Sequence, residues 1–173
     1  NIVMPEGPEV KIASDYFNNF FGYSKKIKFE IITDYYETKY FDVFSFINQN
    51  LNKFKPTFTI GKNIFLELSK NKIFNLHLGM TGGWSNKVVK HCHFRVFDEC
   101  NEIFFRDIRK FGKMRIITQK QFNEKFNPSY DLLNDLYCKK SHLNFLEKIN
   151  FKKSICSIIM DQKYFPGVGN YIK

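Results

Sequence analysis

Apolar positions recur at two different periods along this chain, and the change of period divides it. In 8–21, Val10, Ala13, Phe17, Phe20 and Phe21 fall on one face at a 3.6-residue spacing, which predicts an amphipathic helix. Pro8 suits a first helical turn and Gly22 a stop. Residues 26–33 alternate toward a strand, and 42–51 read as a short helix with Asp42 as its N-cap. From residue 58 the period shortens. The stretches 58–60, 63–68, 73–78, 91–97, 102–106 and 114–118 are short and rich in β-branched and aromatic residues. Gly61, the glycines at 79, 82 and 83, Asp98-Glu99 and Gly112 interrupt them. Short strands at this spacing predict an antiparallel sandwich or barrel, with no parallel βαβ alternation.

Near Asn127-Pro128 the helical pattern returns. Ser141 can cap a helix over 142–149 and Ser154 another over 155–162, followed by the turn Phe165-Pro166-Gly167-Val168-Gly169-Asn170. The expected organisation is an α+β fold. An N-terminal helix and antiparallel β-sandwich occupy 1–126, a linker 127–141, and a helical unit 142–173. A further helix would start where the sequence stops at Lys173, so the helical unit is expected to be incomplete.

Composition narrows the function. Among 173 residues, Lys and Arg number 27 and Asp and Glu 17, a formal charge of +10. A polyanionic partner is favoured, nucleic acid before an anionic membrane surface. Abundant Lys, Asn, Ile, Phe and Tyr are also what AT-rich coding produces. An apolar share of 43% excludes disorder. No apolar run is long enough for a membrane span and no segment looks like a signal peptide. Cys92, Cys100, Cys138 and Cys156 form no C-x-x-C pair, against a disulfide framework or a zinc finger here.

Five segments carry chemistry. In Met4-Pro5-Glu6-Gly7-Pro8-Glu9, removal of Met4 would leave Pro5 with a free secondary amine. An α-amine has a pKa of about 8, so a neutral, nucleophilic fraction exists near pH 7. Its attack on a sugar C1′ gives a cationic iminium that acidifies the C2′ proton and promotes β-elimination. Glu6 can act as the general acid and base. The bland alternative is a turn that starts a helix. With Asn1-Ile2-Val3 retained, Pro5 would be an internal imide, and a Lys such as Lys62 would have to replace it. Thr59-Ile60-Gly61-Lys62-Asn63 offers Lys62 to a phosphate or to the reaction, or simply to solvent. His77-Leu78-Gly79-Met80-Thr81-Gly82 puts Met80 at a loop tip, placed to wedge into a base stack or to fold back on a sheet. Arg106-Asp107-Ile108-Arg109-Lys110-Phe111-Gly112-Lys113 offers Arg109 to an orphaned base and Phe111 to stacking, or is a basic turn. The glycines before Asn170 free backbone N–H groups for a phosphate, or cap two helices.

Together and in this order these segments resemble the formamidopyrimidine-DNA glycosylase / endonuclease VIII (Fpg/Nei) family. The matches are Met4 to Glu9, Gly61-Lys62, His77 to Gly82, Asp107-Ile108-Arg109-Lys110-Phe111-Gly112, and Asp161 to Asn170. His91-Cys92-His93-Phe94-Arg95 and the Asp-Ile-Arg form of the fourth motif are similar to the eukaryotic Nei-like branch. The resemblance implies a base-excision-repair DNA glycosylase with AP lyase activity. It would flip an oxidised base, attack C1′ through Pro5, and cleave by β/δ-elimination, at a flipping cost of a few kcal/mol. It assigns the nucleophile to Pro5, the acid/base to Glu6 and an essential lysine to Lys62. Met80, Arg109 and Phe111 would fill the gap left by the flipped nucleotide. Asn170, in a helix-two-turn-helix motif, and His77 would contact phosphates.

The implied partner is DNA with oxidised bases or abasic sites, bound by a monomer and without a membrane. No cofactor is expected, because the family's zinc or zincless finger falls beyond Lys173. No metal site is expected either: His91 and His93, on one strand face, are read as solvated or core residues. A catalytically inactive DNA-binding relative and a basic nucleic-acid-associated structural protein stay open as alternatives.

Overall fold

The first helix begins where the sequence can satisfy its free N–H groups. In a computed structural model, which describes residues 5–22, 24, 26–149 and 154–169, helix α1 spans Gly7–Phe21. Glu6 is its N-cap and closes a reciprocal capping box with Glu9. The Glu6 backbone N–H donates to Glu9 Oε2 at 3.1 Å. Val10, Phe17 and Phe21 are buried, as their spacing requires.

After strand β1 (Lys28–Ile31), helix α2 spans Asp34–Asn50. This corrects the expected start at Asp42. Thr33 is the N-cap, and Tyr36, Tyr40, Phe44 and Ile47 form one buried stripe. The adjacent Tyr35 is on the exposed side, so two consecutive tyrosines blurred the period.

Strands β2 (Phe58–Ile60), β3 (Asn63–Leu68), β4 (Lys72–His77), β5 (Gly83–Ser85), β6 (Cys92–Phe97), β7 (Glu102–Arg106) and β8 (Lys113–Thr118) follow. They and β1 pair antiparallel in two four-stranded sheets, β1-β6-β7-β5 and β2-β3-β4-β8. The expected sandwich is therefore present. β5 was not predicted, since three residues are too few to show alternation.

Phe29, Phe94, Val96, Ile103 and Phe105 from one sheet meet Ile64, Leu66, Phe74, Leu76 and Met114 from the other. Both helices pack into the same core. Each fully buried side chain of this size stabilises the fold by about 1.5–3 kcal/mol.

The outer face of the second sheet is divided. At one end Ile60, Phe65, Ile73 and Ile117 form a smaller core beneath Phe58, Phe122 and Phe126. Phe122 lies on an unpredicted helix, α3 (Gln119–Lys125), and Phe126 is its C-cap. Thr118 and Gln121 make the capping box that starts α3. At the other end, the register places Asn63, His77 and Lys113 in one cross-strand row. Asn75 and Arg115 share the next.

A 3-10 turn (Pro128–Tyr130), helix α4 (Lys139–Glu147) and the short helix α5 (Ile155–Met160) complete the described chain. Cys138, not Ser141, is the N-cap of α4, which starts three residues early. Ser154 does cap α5, its Oγ accepting from Ser157 N at 3.2 Å. α5 stops at Met160 because Asp161 is extended. Asp131 Oδ2 accepts from Gly61 N at 2.7 Å, and Asn134 Nδ2 donates to Thr59 O at 2.8 Å. These bonds tie 127–141 to the β2–β3 turn.

Candidate active site

Three segments distant in sequence meet backbone to backbone beside the start of α1. Gly7 N donates to Gly167 O at 2.8 Å. A Cβ on Gly7 would lie 3.1 Å from Gly167 Cα, and one on Gly61 3.2 Å from Gly167 N. Gly61 and Gly167 have φ of 61° and 86°, where a side chain is strained. Gln162 braces the late loop: its Oε1 accepts from Gly167 N at 2.9 Å and its Nε2 donates to Val168 O at 2.8 Å.

This junction places Glu6. Its side chain is 1% exposed and lies against Gly169, where a Cβ would fall only 1.8 Å from Oε1. The carboxylate also faces the positive end of the α1 dipole. Pro5, half-buried, immediately precedes it. Lys62 follows Gly61 at the same junction. It lines a cleft of about 470 Å³ with Gln162, Lys163 and Pro166.

A second constellation forms where β4 and β8 meet their loops. Asp107, fully buried, accepts from Thr81 Oγ1 at 2.5 Å, Lys110 N at 3.1 Å and Gly112 N at 2.7 Å. Thr81 Oγ1 in turn accepts from Arg109 N at 3.0 Å. Gly79 has a φ of 64°, and a Cβ there would sit 2.4 Å from the Phe111 carbonyl carbon, so the two loops run side by side. As a result Arg109, Met80 and Phe111 converge. The Arg109 guanidinium lies 4.8 Å from the Phe111 ring centre and its Nη1 3.6 Å from Met80 Sδ. Phe111 is 47% exposed. All three line a cleft of about 950 Å³ with His77, Lys113 and Arg115.

His77 joins the two constellations. Its Nδ1 accepts from Gly79 N at 3.0 Å. Burial first, then the charges of Lys62, Lys113 and Arg115, hold it below its ordinary pKa. The imidazole is therefore neutral at pH 7, with its proton on Nε2.

The sequence reading missed three polar neighbours. Asn75, buried mid-strand, receives Arg115 Nε at 2.9 Å and donates to Asn63 Oδ1 at 3.2 Å. An Asn within an otherwise apolar run was the available signal. Asn170 lies outside the described residues.

His93 is a core residue: it stacks on Tyr36 at 4.5 Å and bonds the Asp107 carbonyl through Nε2 at 2.8 Å. His91 precedes β6 at a φ of 72° and does not continue the strand face. Among the described residues, no three His, Cys, Asp or Glu side chains cluster as metal ligands. No described helix is long and apolar enough to cross a membrane.

The family model for the formamidopyrimidine-DNA glycosylase N-terminal domain matches residues 4–114. The chain belongs to that family. Formamidopyrimidine-DNA glycosylase of Bartonella quintana is 26% identical over 134 residues, 64% of this chain and 44% of that protein. The Ureaplasma parvum enzyme is 27% identical, covering 96% of this chain and 64% of its own length. The chain thus spans less than two thirds of these bacterial relatives. The structure of Lactococcus lactis Fpg with abasic-site DNA superposes with a TM-score of 0.71 at 20% identity, covering 95% of this chain and 63% of that one. That likeness establishes the shared fold.

Proposed function

We propose that this chain carries the catalytic part of a DNA glycosylase with AP lyase activity that acts on oxidised bases. The observation that supports it most is the junction of Gly7, Gly61 and Gly167, which brings the Pro5-Glu6 pair beside the distant segment that carries Lys62.

With Met4 and the residues before it removed, the Pro5 nitrogen attacks C1′ of an extruded nucleotide. The glycosidic bond breaks and the base leaves with a proton from Glu6. Glu6 takes the proton from the attached nitrogen and passes it to O4′ as the C1′–O4′ bond opens, so that the nitrogen and C1′ share an iminium and Glu6 is again a carboxylate. Loss of the C2′ proton to the Glu6 carboxylate expels the 3′ phosphate, and a second elimination releases the 5′ phosphate. Lys62, and His77 through its Nε2–H, hold phosphate beside the extruded sugar. Arg109, Met80 and Phe111 occupy the emptied position in the stack, offsetting part of the cost of flipping. DNA bearing such lesions is the proposed partner, bound by a monomer. Residues 1–126 would form the catalytic domain, 127–141 a linker, and 142–173 the start of a helix-two-turn-helix domain in which Asn170 contacts phosphate.

The test is borohydride trapping on abasic-site DNA, with the chain starting at Pro5, a Pro5→Gly variant and an uncleaved N-terminal extension compared. A covalent adduct is expected only where the Pro5 amine is free. Salt-sensitive binding without any adduct would instead favour the inactive DNA-binding relative. Placement near the eukaryotic Nei-like branch rests on the segment His91 to Arg95 and on Asp107-Ile108-Arg109. Its check is whether oxidised pyrimidines are excised faster than formamidopyrimidines.

A further inference from the structure

The 950 Å³ cleft has a rim that this chemistry does not use. There α2 brings Tyr35 and Lys39 against the loop that carries Arg109. Lys110 Nζ stands 4.6 Å from the centre of the Tyr35 ring. Lys39 Nζ lies 5.5 Å from the same ring and 5.3 Å from that of Tyr40, and donates to Tyr35 Oη at 3.4 Å. The loop is shaped for this arrangement. Lys110 adopts a φ of 56°, strained for a residue with a side chain, and Asp107 holds its N–H. Neighbouring side chains therefore diverge: Arg109 turns to Met80 and Phe111, and Lys110 to α2.

The charges at this rim are not neutralised among the described residues. Among the described residues, neither Lys39 nor Lys110 has a carboxylate within 4 Å. The described lining of the cleft includes Lys39, Arg109, Lys110, Lys113 and Arg115 and no acid. Ammonium groups already rest against the Tyr35 ring, so the ligand these residues fit is an anion rather than a stacked base. A phosphate diester suits two lysine point charges held beside the same tyrosine ring.

Position identifies which phosphates. Along the edge of the second sheet the order is Lys62 at the start of β3, His77 and Met80 at the end of β4, Phe111 and Lys113 at the start of β8, and then α2. Tyr40 Oη of α2 donates to Gly112 O at 3.3 Å. From β3 to β8 is two strand spacings, about 10 Å, and α2 lies beyond. Lys62 and the α2 rim thus flank the Met80–Arg109–Phe111 wedge on opposite sides. A duplex with its extruded nucleotide at Lys62 has its other strand on the α2 side.

We propose that Tyr35, Lys39 and Lys110 form a phosphate clamp for the strand opposite the damaged nucleotide, giving this chain a preference for duplex over single-stranded DNA. The proposal rests on the glycosylase reading of the neighbouring site.

The test uses Lys39→Gln, Lys110→Gln and the double variant, with Lys39→Arg as the charge-conserving control. Fluorescence anisotropy over a salt series compares an abasic-site duplex with the same strand unpaired. The double variant is expected to bind duplex about tenfold more weakly and to lower the salt slope for duplex by about 2. Single-strand binding should change less than about twofold, and Lys39→Arg should behave as the native chain. An equal loss for both DNA forms, or no loss, would overturn the clamp. Borohydride trapping on abasic DNA, duplex and single-stranded, at protein concentrations that saturate binding reads the chemistry separately. Native trapping with an unchanged duplex preference rejects the clamp alone, and absent trapping in every chain rejects the glycosylase reading, while anisotropy still decides the clamp.

Discussion

Gly169 fixes where the Glu6 carboxylate can lie, because a methyl group there would occupy the carboxylate's own position. On the proposed mechanism, Gly169→Ala is therefore expected to slow base excision by about 100-fold or more, the scale of a displaced general acid. Trapping of a preformed abasic site, where the base has already gone, should suffer less; single-turnover kinetics on the two substrates checks this. His77 supplies a pH signature. Its folded pKa is depressed by burial and by Lys62, Lys113 and Arg115. Below its ordinary value of 6.5 the unfolded chain binds the proton that the folded chain refuses, so stability falls as pH drops through and below that point. His77→Asn should flatten this part of the curve, measured as urea midpoints across pH. Sequence alone made the motif residues legible, since glycines set Lys62, Met80 and Phe111 apart in loops. It could not reveal Asn63, Asn75 and Arg115 as neighbours, because strand register creates that proximity and no local spacing encodes it.

At the level of elements, Asp107 and α3 carry the organisation. Asp107 alone gathers a hydroxyl and two backbone N–H groups from both wedge loops. Asp107→Ala should cost about 3 kcal/mol by denaturant unfolding, through buried N–H groups left unsatisfied. It should also abolish the convergence of Met80, Arg109 and Phe111. On the other half of the sheet face, Phe65 is fully buried between Phe58, Phe122 and Phe126. Phe65→Ala is expected to cost about 3–5 kcal/mol by the same measurement. The long strands were legible from alternation. α3 was not, for it has only Phe122 and its cap Phe126 to mark a face. The first two turns of α2 were hidden because the consecutive Tyr35 and Tyr36 serve opposite sides.

Over the whole molecule, the formal charge of +10 is organised: the wide cleft's described lining is cationic and free of acids. Lys113→Gln should weaken DNA binding at low salt and reduce the slope of log affinity against log salt by about 1, irrespective of sequence. By contrast, the Arg95 ion pairs with Glu30 and Glu102 tie neighbouring strands together at the surface and contribute little stability. The bond between Gly7 and Gly167 also has a consequence in time. A ribosome releases the first of these residues early and the second only near the end of the described chain. Until the late loop arrives, the Glu6 carboxylate lacks the wall that Gly169 gives it. Synthesis order therefore makes the seat of the Glu6 side chain one of the last parts of the described chain to assemble.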